Sequence, residues 1–282
     1  MSSDVLTLLA IDAGNTRIKC GLFRVEPEAS RVLPECAGQW AFATGAAVDP
    51  AAIGVTDPAT PAIITGSNPA EVERIVAEWP VTLPQPLRLS DRSSLPLKID
   101  VDFPEKVGID RLLNAIAANQ IRSEGEPAIL IDSGTATTID YVNADGTFCG
   151  GAILPGFELC ARALNQYTAL LPHIPMHELL ARESLPDEVG RNTEAAITSG
   201  LYWGHVGAVN GLLRRQMHLA GRELEETGGP AAMTGGPLVL LTGGAATLLQ
   251  PHMPSIVRYE PHLSLQGLAF VAASQHRAVA TD

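Results

Sequence analysis

Two segments of the sequence combine an acidic residue with a glycine turn, an arrangement that could bind phosphate and metal. A glycine turn exposes consecutive backbone N–H groups that can surround a phosphate, and a neighbouring carboxylate can hold a hydrated Mg²⁺. The alternative is a plain hairpin turn, in which Asp and Asn only favour the bend. The first segment comprises Asp12, Ala13, Gly14, Asn15, Thr16, Arg17, Ile18 and Lys19, and the second begins with Asp132, Ser133, Gly134 and Thr135.

Two further motifs carry residues suited to acid–base chemistry and to anion binding. In the segment Gly108–Arg111, a carboxylate and a guanidinium stand side by side where a helix begins. Asp110 can accept a hydroxyl proton and Arg111 can bind a carboxylate through two parallel hydrogen bonds, although such a pair is more often a helix cap and a surface ion pair. The glycines of 242–244 would let a flat group approach the backbone, but alone they indicate only a strand–helix turn.

Both acidic segments need the same supporting structure, a strand, a tight turn and an antiparallel strand. Residues 5–23 and 128–142 each contain an apolar β-prone run, Asp-x-Gly, a small polar cluster and a second β-prone run. Because the context matches on both sides of the turn, the pattern predicts two copies of one α/β unit, with coincidence as the alternative.

Helical spacing predicts the elements that surround these hairpins. A helix is expected over 108–125, ending at Gly125, and a long one over 192–224, with Thr193 helping to cap its start. A closing helix is expected over 263–279.

Composition indicates a folded, acidic protein of about two domains, predicted at 1–125 and 126–282. Its 282 residues are 46% hydrophobic and 18% charged, which excludes intrinsic disorder. The net charge of −12 provides no long-range attraction to nucleic acid or to an anionic membrane, so neither is an expected partner. The cysteines form no CxxC pair, and no signal peptide or apolar run of ~18 residues is evident, so we expect reduced, mostly buried thiols and a cytoplasmic location.

Taken together, the motifs resemble those of the type III pantothenate kinases, within the superfamily of acetate and sugar kinases, heat-shock chaperones and actin. The resemblance is collinear over almost the whole chain. It includes Asp-x-Gly-Asn-Thr-x-x-Lys, Gly-x-Asp-Arg, Asp-x-Gly-Thr-Ala-x-Thr and Gly-Gly-x-Ile-x-Pro-Gly. The matching segments are 12–19, 108–118, 132–138, 150–156, 193–200, 242–244 and 261–268.

The resemblance implies an α/β fold of two similar ribonuclease-H-like domains with a nucleotide cleft between them. It implies transfer of the ATP γ-phosphoryl group to pantothenate, giving 4′-phosphopantothenate, the first step of coenzyme A biosynthesis. The implied cofactors are Mg²⁺ with ATP and a monovalent cation, K⁺ or NH₄⁺. The implied assembly is a homodimer.

The resemblance also implies a role for each matched residue. Residues 12–19 and Thr135 would bind ATP, with Asp12 holding Mg²⁺ through water. Asp132 would coordinate the monovalent cation, and Asp110 would be the general base. The implied pantothenate contacts are Val101, Gly108, Ile109, Asp110, Arg111 and Thr193.

The sequence departs from the family pattern in two places. Val101 stands where the family often has Tyr, with Phe103 as a candidate substitute. Residues 65–69 replace a Ser-Val-Val-Pro type of segment, which we expect to be structural variation only.

Two other classes of function are weighed against the kinase. A non-catalytic accessory protein would be expected to lose Asp110 or Lys19, and both are present. Another enzyme of the superfamily is the second alternative, but a sugar kinase would not need Arg111 beside the base, and a chaperone would need a peptide-binding domain.

Overall fold

The chain folds into two compact units. The computed structural model describes residues 5–26, 31–55, 57, 59–181, 184–227 and 236–280. One unit consists of Met1–Arg122 with His262–Asp282, and the other of Ser123–Pro261. Across the described ranges, every helix is too short or too polar to cross a lipid bilayer.

The two units contain five-stranded sheets of identical topology. The strand orders are β3-β2-β1-β4-β5 and β8-β7-β6-β9-β10. In each sheet an antiparallel hairpin gains a third antiparallel strand on one side and two parallel strands on the other. The strands are β1 Leu6–Ala13, β2 Arg17–Val25, β3 Glu35–Ala43, β4 Ala62–Thr65, β5 Leu87–Arg88, β6 Ala128–Ser133, β7 Ala136–Val142, β8 Phe148–Pro155, β9 Leu238–Thr242 and β10 Val257–Tyr259.

The helices pack on the faces of these sheets or on one another. They are α1 Pro69–Ala77, α2 Ile109–Ile121, α3 Phe157–Gln166, α4 Met176–Leu180, α5 Thr193–Thr227, α6 Ala246–Leu249 and α7 Leu263–Ala280. Short 3₁₀ helices occupy Arg92–Ser94, Pro104–Lys106 and Gln250–His252.

Strand register confirms that the acidic segments are copies of one structure. Asp12 pairs with Lys19 on β2 and with Thr65 on β4. Asp132 pairs with Thr138 on β7 and with Thr242 on β9. The duplicated α/β fold predicted from the sequence is therefore confirmed at the level of single residues.

Alternation along the hairpins gives each sheet two different faces. In the first unit, Ile11 and Ala13 pack with Ile75 and Trp79 in the core beneath α1, because successive side chains of a strand point to opposite faces. The other face of β1 and β2 carries α7, which also packs on α2. In the second unit, the core beneath α3 and α5 contains the side chain of Ile131.

The predicted domain boundary is wrong at the C-terminus, because α7 belongs to the first unit rather than to 126–282. A Cβ on Gly267 would lie 2.1 Å from the carbonyl oxygen of Leu113, so α7 and α2 are in close backbone contact. Contacts between elements distant in the sequence, rather than local pattern, decide this assignment.

Two predicted helix ends also differ from the structure. The second helix ends at Ile121 and not at Gly125, which instead adopts φ 71° in the turn before β6. The long helix is capped by Asn192 rather than Thr193, because Asn192 Oδ1 accepts the N–H of Ala195 at 2.8 Å. The cysteines are all free, but only one of the four is fully buried, so the prediction of mostly buried thiols is wrong.

Candidate functional site

The first turn closes the β1–β2 hairpin between Asp12 and Lys19. These two half-buried residues are direct partners across the ladder, so a carboxylate and an ammonium group share one face beside the turn. The turn is closed by the N–H of Gly14, which donates to the carbonyl of Arg17 at 3.0 Å. Burial and the nearby charge of Asp12 raise the pKa of Cys20 to about 12, so this thiol stays protonated.

The remaining residues of the first turn divide into an exposed tip and a buried base. Asn15, Thr16 and Arg17 are exposed at the tip. Ala13 and Ile18 pair across the ladder at the base, and both side chains are fully buried. If these two residues contact a nucleotide, they can therefore do so only through their backbone.

Backbone contacts from two neighbouring loops brace this turn. The Thr44 hydroxyl, just after β3, donates to the carbonyl of Gly14 at 3.2 Å. The N–H of Asn68, after β4, donates to the carbonyl of Ala13 at 3.1 Å. A Cβ on Gly66 would lie 2.1 Å from that same carbonyl oxygen, so only glycine allows this approach.

An ion pair between the buried Glu71 and the half-buried Arg74 holds the loop that follows Thr44. Glu71, on α1, accepts the N–H of Gly45 at 2.8 Å and binds Arg74 Nη2 at 2.7 Å. Arg74 also donates to the carbonyl of Ala46 at 2.7 Å. The hydrogen bond from Arg74 holds the pKa of the Glu71 carboxyl below its ordinary value.

The second turn closes the β6–β7 hairpin and carries Asp132 and Thr135. It is one residue shorter than the first, because the N–H of Gly134 donates to the carbonyl of Ala136 at 3.0 Å. The side chain of Thr135 is exposed, and that of Asp132 is half-buried. The N–H of Gly156, after β8, donates to the carbonyl of Thr135 at 3.0 Å. Gly156 therefore braces the second turn as Thr44 braces the first.

The loop after β9 packs directly on this turn. A Cβ on Gly243, whose φ is +100°, would lie 2.6 Å from Asp132 Oδ1 and 2.4 Å from the carbonyl oxygen of Ser133. The N–H of Ala245 donates to the Ser133 carbonyl at 2.9 Å. The Thr-Gly-Gly motif is therefore more than a turn: its glycine allows the backbone to approach the carboxylate of Asp132.

The segment 65–69, which follows β4, corresponds to the Thr-Gly-Gly loop that follows β9. Thr65 and Thr242 hold equivalent register positions. Gly66 and Gly243 approach the base of their turns in the same way, and Asn68 and Ala245 donate equivalent hydrogen bonds. Aligning the two copies beyond the hairpins would have found this correspondence in the sequence.

The motif Gly108–Arg111 begins α2 in the first unit. Gly108 is the N-cap, and the half-buried Asp110 accepts the N–H of Arg111 through Oδ1 at 2.9 Å. A Cβ on Gly108 would lie 2.5 Å from that oxygen, so the glycine makes room for the carboxylate. The N-terminus of a helix also favours negative charge. Ile109 is buried, which leaves its backbone to face any ligand.

The loop before α2 contains an arginine that sequence reasoning missed. Arg92 Nε donates to the carbonyl of Val107 at 2.7 Å and so braces the residue before the N-cap. Val101 is half-buried. Phe103 is 58% exposed, and Lys106 Nζ lies 4.2 Å from its ring centroid. No motif marks Arg92, because its partner is a backbone carbonyl 15 residues further along the chain.

Thr193, the last of the pantothenate contacts that the resemblance implies, is exposed at the start of α5 in the second unit. Asp132 and Thr135 belong to that unit as well, whereas residues 12–19, Val101 and the motif at Gly108–Arg111 belong to the first. Within the described ranges, no group of three or more His, Cys, Asp or Glu side chains could hold a metal. Asp12 and Asp132 each offer carboxylate oxygen, the donor type preferred by hard cations.

The chain matches a known protein family over most of its length. Residues 8–215 match the family model described as type III pantothenate kinase. A type III pantothenate kinase of Gluconobacter oxydans is 36% identical, covering 94% of this chain and 92% of the relative. One from Thermomicrobium roseum is 31% identical, covering 96% of this chain and 99% of the relative.

Solved structures share the fold at much lower identity. The activator of the 2-hydroxyisocaproyl-CoA dehydratase from Clostridium difficile, with bound ADPNP, has a TM-score of 0.53 at 11% identity. It covers 98% of this chain and is itself covered over 97%. Component A of the (R)-2-hydroxyglutaryl-CoA dehydratase of Acidaminococcus fermentans has a TM-score of 0.51 at 14% identity, with coverage of 98% and 99%. At these identities, the likeness concerns the fold alone.

Proposed function

The chain belongs to the type III pantothenate kinase family, and from this we propose that it transfers the γ-phosphoryl group of ATP to the primary hydroxyl of pantothenate. The product is 4′-phosphopantothenate, which starts coenzyme A biosynthesis. The observation that carries the proposal is the pair of Asp-x-Gly turns at equivalent register positions, each braced by a glycine loop. Phosphoryl transfer depends mainly on positioning and charge neutralisation, which such braced turns supply.

We assign the general base to Asp110. Its carboxylate is half-buried, and the backbone N–H of Arg111 fixes the orientation of Oδ1. A base in a fixed orientation can accept a hydroxyl proton from a substrate that binds within hydrogen-bond reach. The missing side chain at Gly108 keeps space open beside this carboxylate.

We assign recognition of the pantothenate carboxylate to Arg111. In an acidic protein, an anionic substrate needs a local positive group, and a guanidinium can hold a carboxylate through two parallel hydrogen bonds. Arg92 stabilises the start of α2, because it donates to the carbonyl of Val107, one residue before the N-cap. The backbone of Gly108 and Ile109 and the side chains of Val101 and Thr193 complete the proposed contacts.

We assign ATP binding to residues 12–19 and Thr135. The exposed tip of the first turn offers backbone N–H groups to the phosphates, and Lys19 adds positive charge beside the turn. Asp12 would hold Mg²⁺ through water and Asp132 a monovalent cation, K⁺ or NH₄⁺. Such cations neutralise phosphate charge as it develops in the reaction. We further propose that the protein is a cytoplasmic homodimer, as the resemblance implies.

The experiment that tests the function is a coupled ATP-consumption assay with pantothenate and a panel of sugars, with and without K⁺. We expect turnover with pantothenate and none with any of the sugars. Turnover with a sugar and none with pantothenate would overturn the proposal.

The Asp110→Asn variant tests the base in the same assay. We expect kcat to fall roughly 10²–10⁴-fold while ATP binding changes little, because the amide cannot accept the proton. A variant with unchanged kcat would exclude Asp110 as the base. Glu105→Gln, an exposed acidic residue in the preceding loop, is the matched control.

The Arg111→Lys variant tests substrate recognition. We expect kcat/KM for pantothenate to fall about 30- to 1,000-fold, because an ammonium cannot replace the two-point contact. The KM for ATP should change little, and discrimination against uncharged pantothenamides should weaken. If Arg111 is only a surface ion pair, the pantothenate KM stays unchanged and only a small loss of thermal stability follows.

A further inference from the structure

A histidine is buried beneath the second turn. His205, on α5, is 6% exposed, and its Nε2 lies 3.0 Å from the hydroxyl of Thr137. Thr137 Oγ1 in turn lies 3.4 Å from Ser133 Oγ, and both hydroxyl residues are fully buried. The ring of Phe157 packs on the imidazole with centroids 4.2 Å apart. A buried polar chain therefore runs from α5 to the base of the turn.

Burial determines the charge of the imidazole in this chain. Burial lowers the pKa of His205 to about 4, so the ring is neutral at physiological pH and carries one N–H. Within the described residues, the ring makes its hydrogen bond through Nε2. His205 Nε2 shares a hydrogen bond with the hydroxyl of Thr137, and Thr137 shares one with the hydroxyl of Ser133.

The first unit shows that the fold does not require this polar chain. The positions equivalent to Ser133 and Thr137 are Ala13 and Ile18, which are buried in an apolar core. Burying hydroxyls and an imidazole costs free energy that an apolar base does not cost. The polar chain thus points to a requirement peculiar to the second turn.

That requirement is the fixed position of Asp132 and Thr135. Asp132 precedes Ser133 in the sequence, and Thr135 lies between Ser133 and Thr137. Ser133 follows Asp132 directly, and its carbonyl is held on the other side by Ala245. We propose that His205 is a positioning residue that holds the second turn through Thr137, so that Asp132 and Thr135 meet the cation and the nucleotide; this rests on the proposed function.

The experiment compares three substitutions of His205 in the full-length protein. His205→Phe keeps an aromatic ring but loses the hydrogen bond to Thr137. His205→Gln places an amide, which can donate or accept, near the position of Nε2, and His205→Asn is too short to do so. His218→Gln, at an exposed histidine of the same helix, is the control. Each variant is measured for binding of Mg·AMPPNP by calorimetry, for KM of ATP and of pantothenate, and for K⁺ activation.

For His205→Phe and His205→Asn, we expect the Kd for Mg·AMPPNP and the KM for ATP to rise about 5- to 30-fold, the effect of losing one buried hydrogen bond. The pantothenate KM should stay within about 2-fold, and His205→Gln should restore the ATP values. Unchanged nucleotide binding in His205→Phe would overturn the proposal, even if the protein phosphorylates pantothenate. Because the binding arm needs no acceptor, it gives a result even if the proposed acceptor is wrong.

A triple variant separates positioning from stability. Ser133→Ala, Thr137→Val and His205→Phe together reproduce the apolar base of the first turn and remove every polar side chain of this buried chain. We expect thermal stability to be kept or raised and ATP binding to stay weak. A triple variant that binds ATP like the wild type would show that the polar chain has only a structural role.

Discussion

The first turn stands on an apolar pair, Ala13 and Ile18, and the second on a hydrogen-bonded pair, Ser133 and Thr137. Behind the first, the charged pair Glu71 and Arg74 holds the neighbouring loop. Behind the second, the support is the neutral His205. Two copies of one topology therefore position equivalent carboxylates by different electrostatic means. Backbone geometry is shared between the copies, whereas side-chain support is free to differ.

The largest expected effect comes from removing the two carboxylates separately. Asp12→Ala should lower ATP turnover about 100-fold or more at every K⁺ concentration, because Mg·ATP loses a directed charge. Asp132→Ala should instead abolish the response to K⁺ or NH₄⁺. The measurement is a K⁺ titration of kcat/KM for each variant. Identical titration curves would remove the functional difference between the turns, and a wild type indifferent to monovalent cations would remove the role of Asp132.

The next effect tests the glycines that approach each turn. In Gly66→Ala and Gly243→Ala, the new methyl would lie 2.1 Å and 2.4 Å from a backbone carbonyl oxygen. We expect each variant to lose roughly 2–4 kcal/mol in the free energy of unfolding, measured with urea. The loss should be greater at Gly243, because its φ of +100° adds backbone strain. Gly244→Ala has no heavy atom within 4 Å of its Cβ and is the control.

The smallest effect is a difference in acid sensitivity between the two supports. His205 is harder to protonate in the folded state, so its contribution is complete above its ordinary pKa of 6.5 and is lost as pH falls to about 4. The lowered pKa of Glu71 makes its contribution complete above 4.5 and lost only below that pH. His205→Gln should therefore flatten the fall in stability between about pH 6.5 and 4, a slope of at most about 1.4 kcal/mol per pH unit.

Glu71→Gln should leave the pH dependence of stability above pH 4.5 unchanged. Below pH 4.5, the difference in the free energy of unfolding between this variant and the wild type should become smaller. Glu73→Gln, which removes an exposed ion pair with Arg88, is its control. Urea unfolding across the pH range makes both measurements. The same change of slope in both variants would contradict the distinction between a charged and a neutral support.

Much of the site was predictable because its motifs are local. A carboxylate, a glycine turn and a returning strand occupy fewer than twenty residues, so the residue pattern alone places Asp12 and Asp132 on equivalent hairpins. The N-terminus of α2 with Asp110 and Arg111 was equally readable, because helix starts carry short-range signals. The roles of these residues in binding and catalysis stay predictions.

The supports of the site were not predictable, because each acts across a long sequence separation. Thr44 reaches Gly14, Arg92 reaches Val107, and neither residue belongs to a motif. His205 lies at helical spacing among apolar neighbours and reads as an ordinary core residue.

The sequence alone determined the duplicated hairpins, the α/β class and the family, because strand alternation, glycine turns and collinear motifs are encoded in neighbouring residues. Only the tertiary structure decided that α7 completes the first unit, and that one turn rests on an apolar base and the other on a histidine. These features depend on which distant segments pack together, and packing is a property of the whole folded chain.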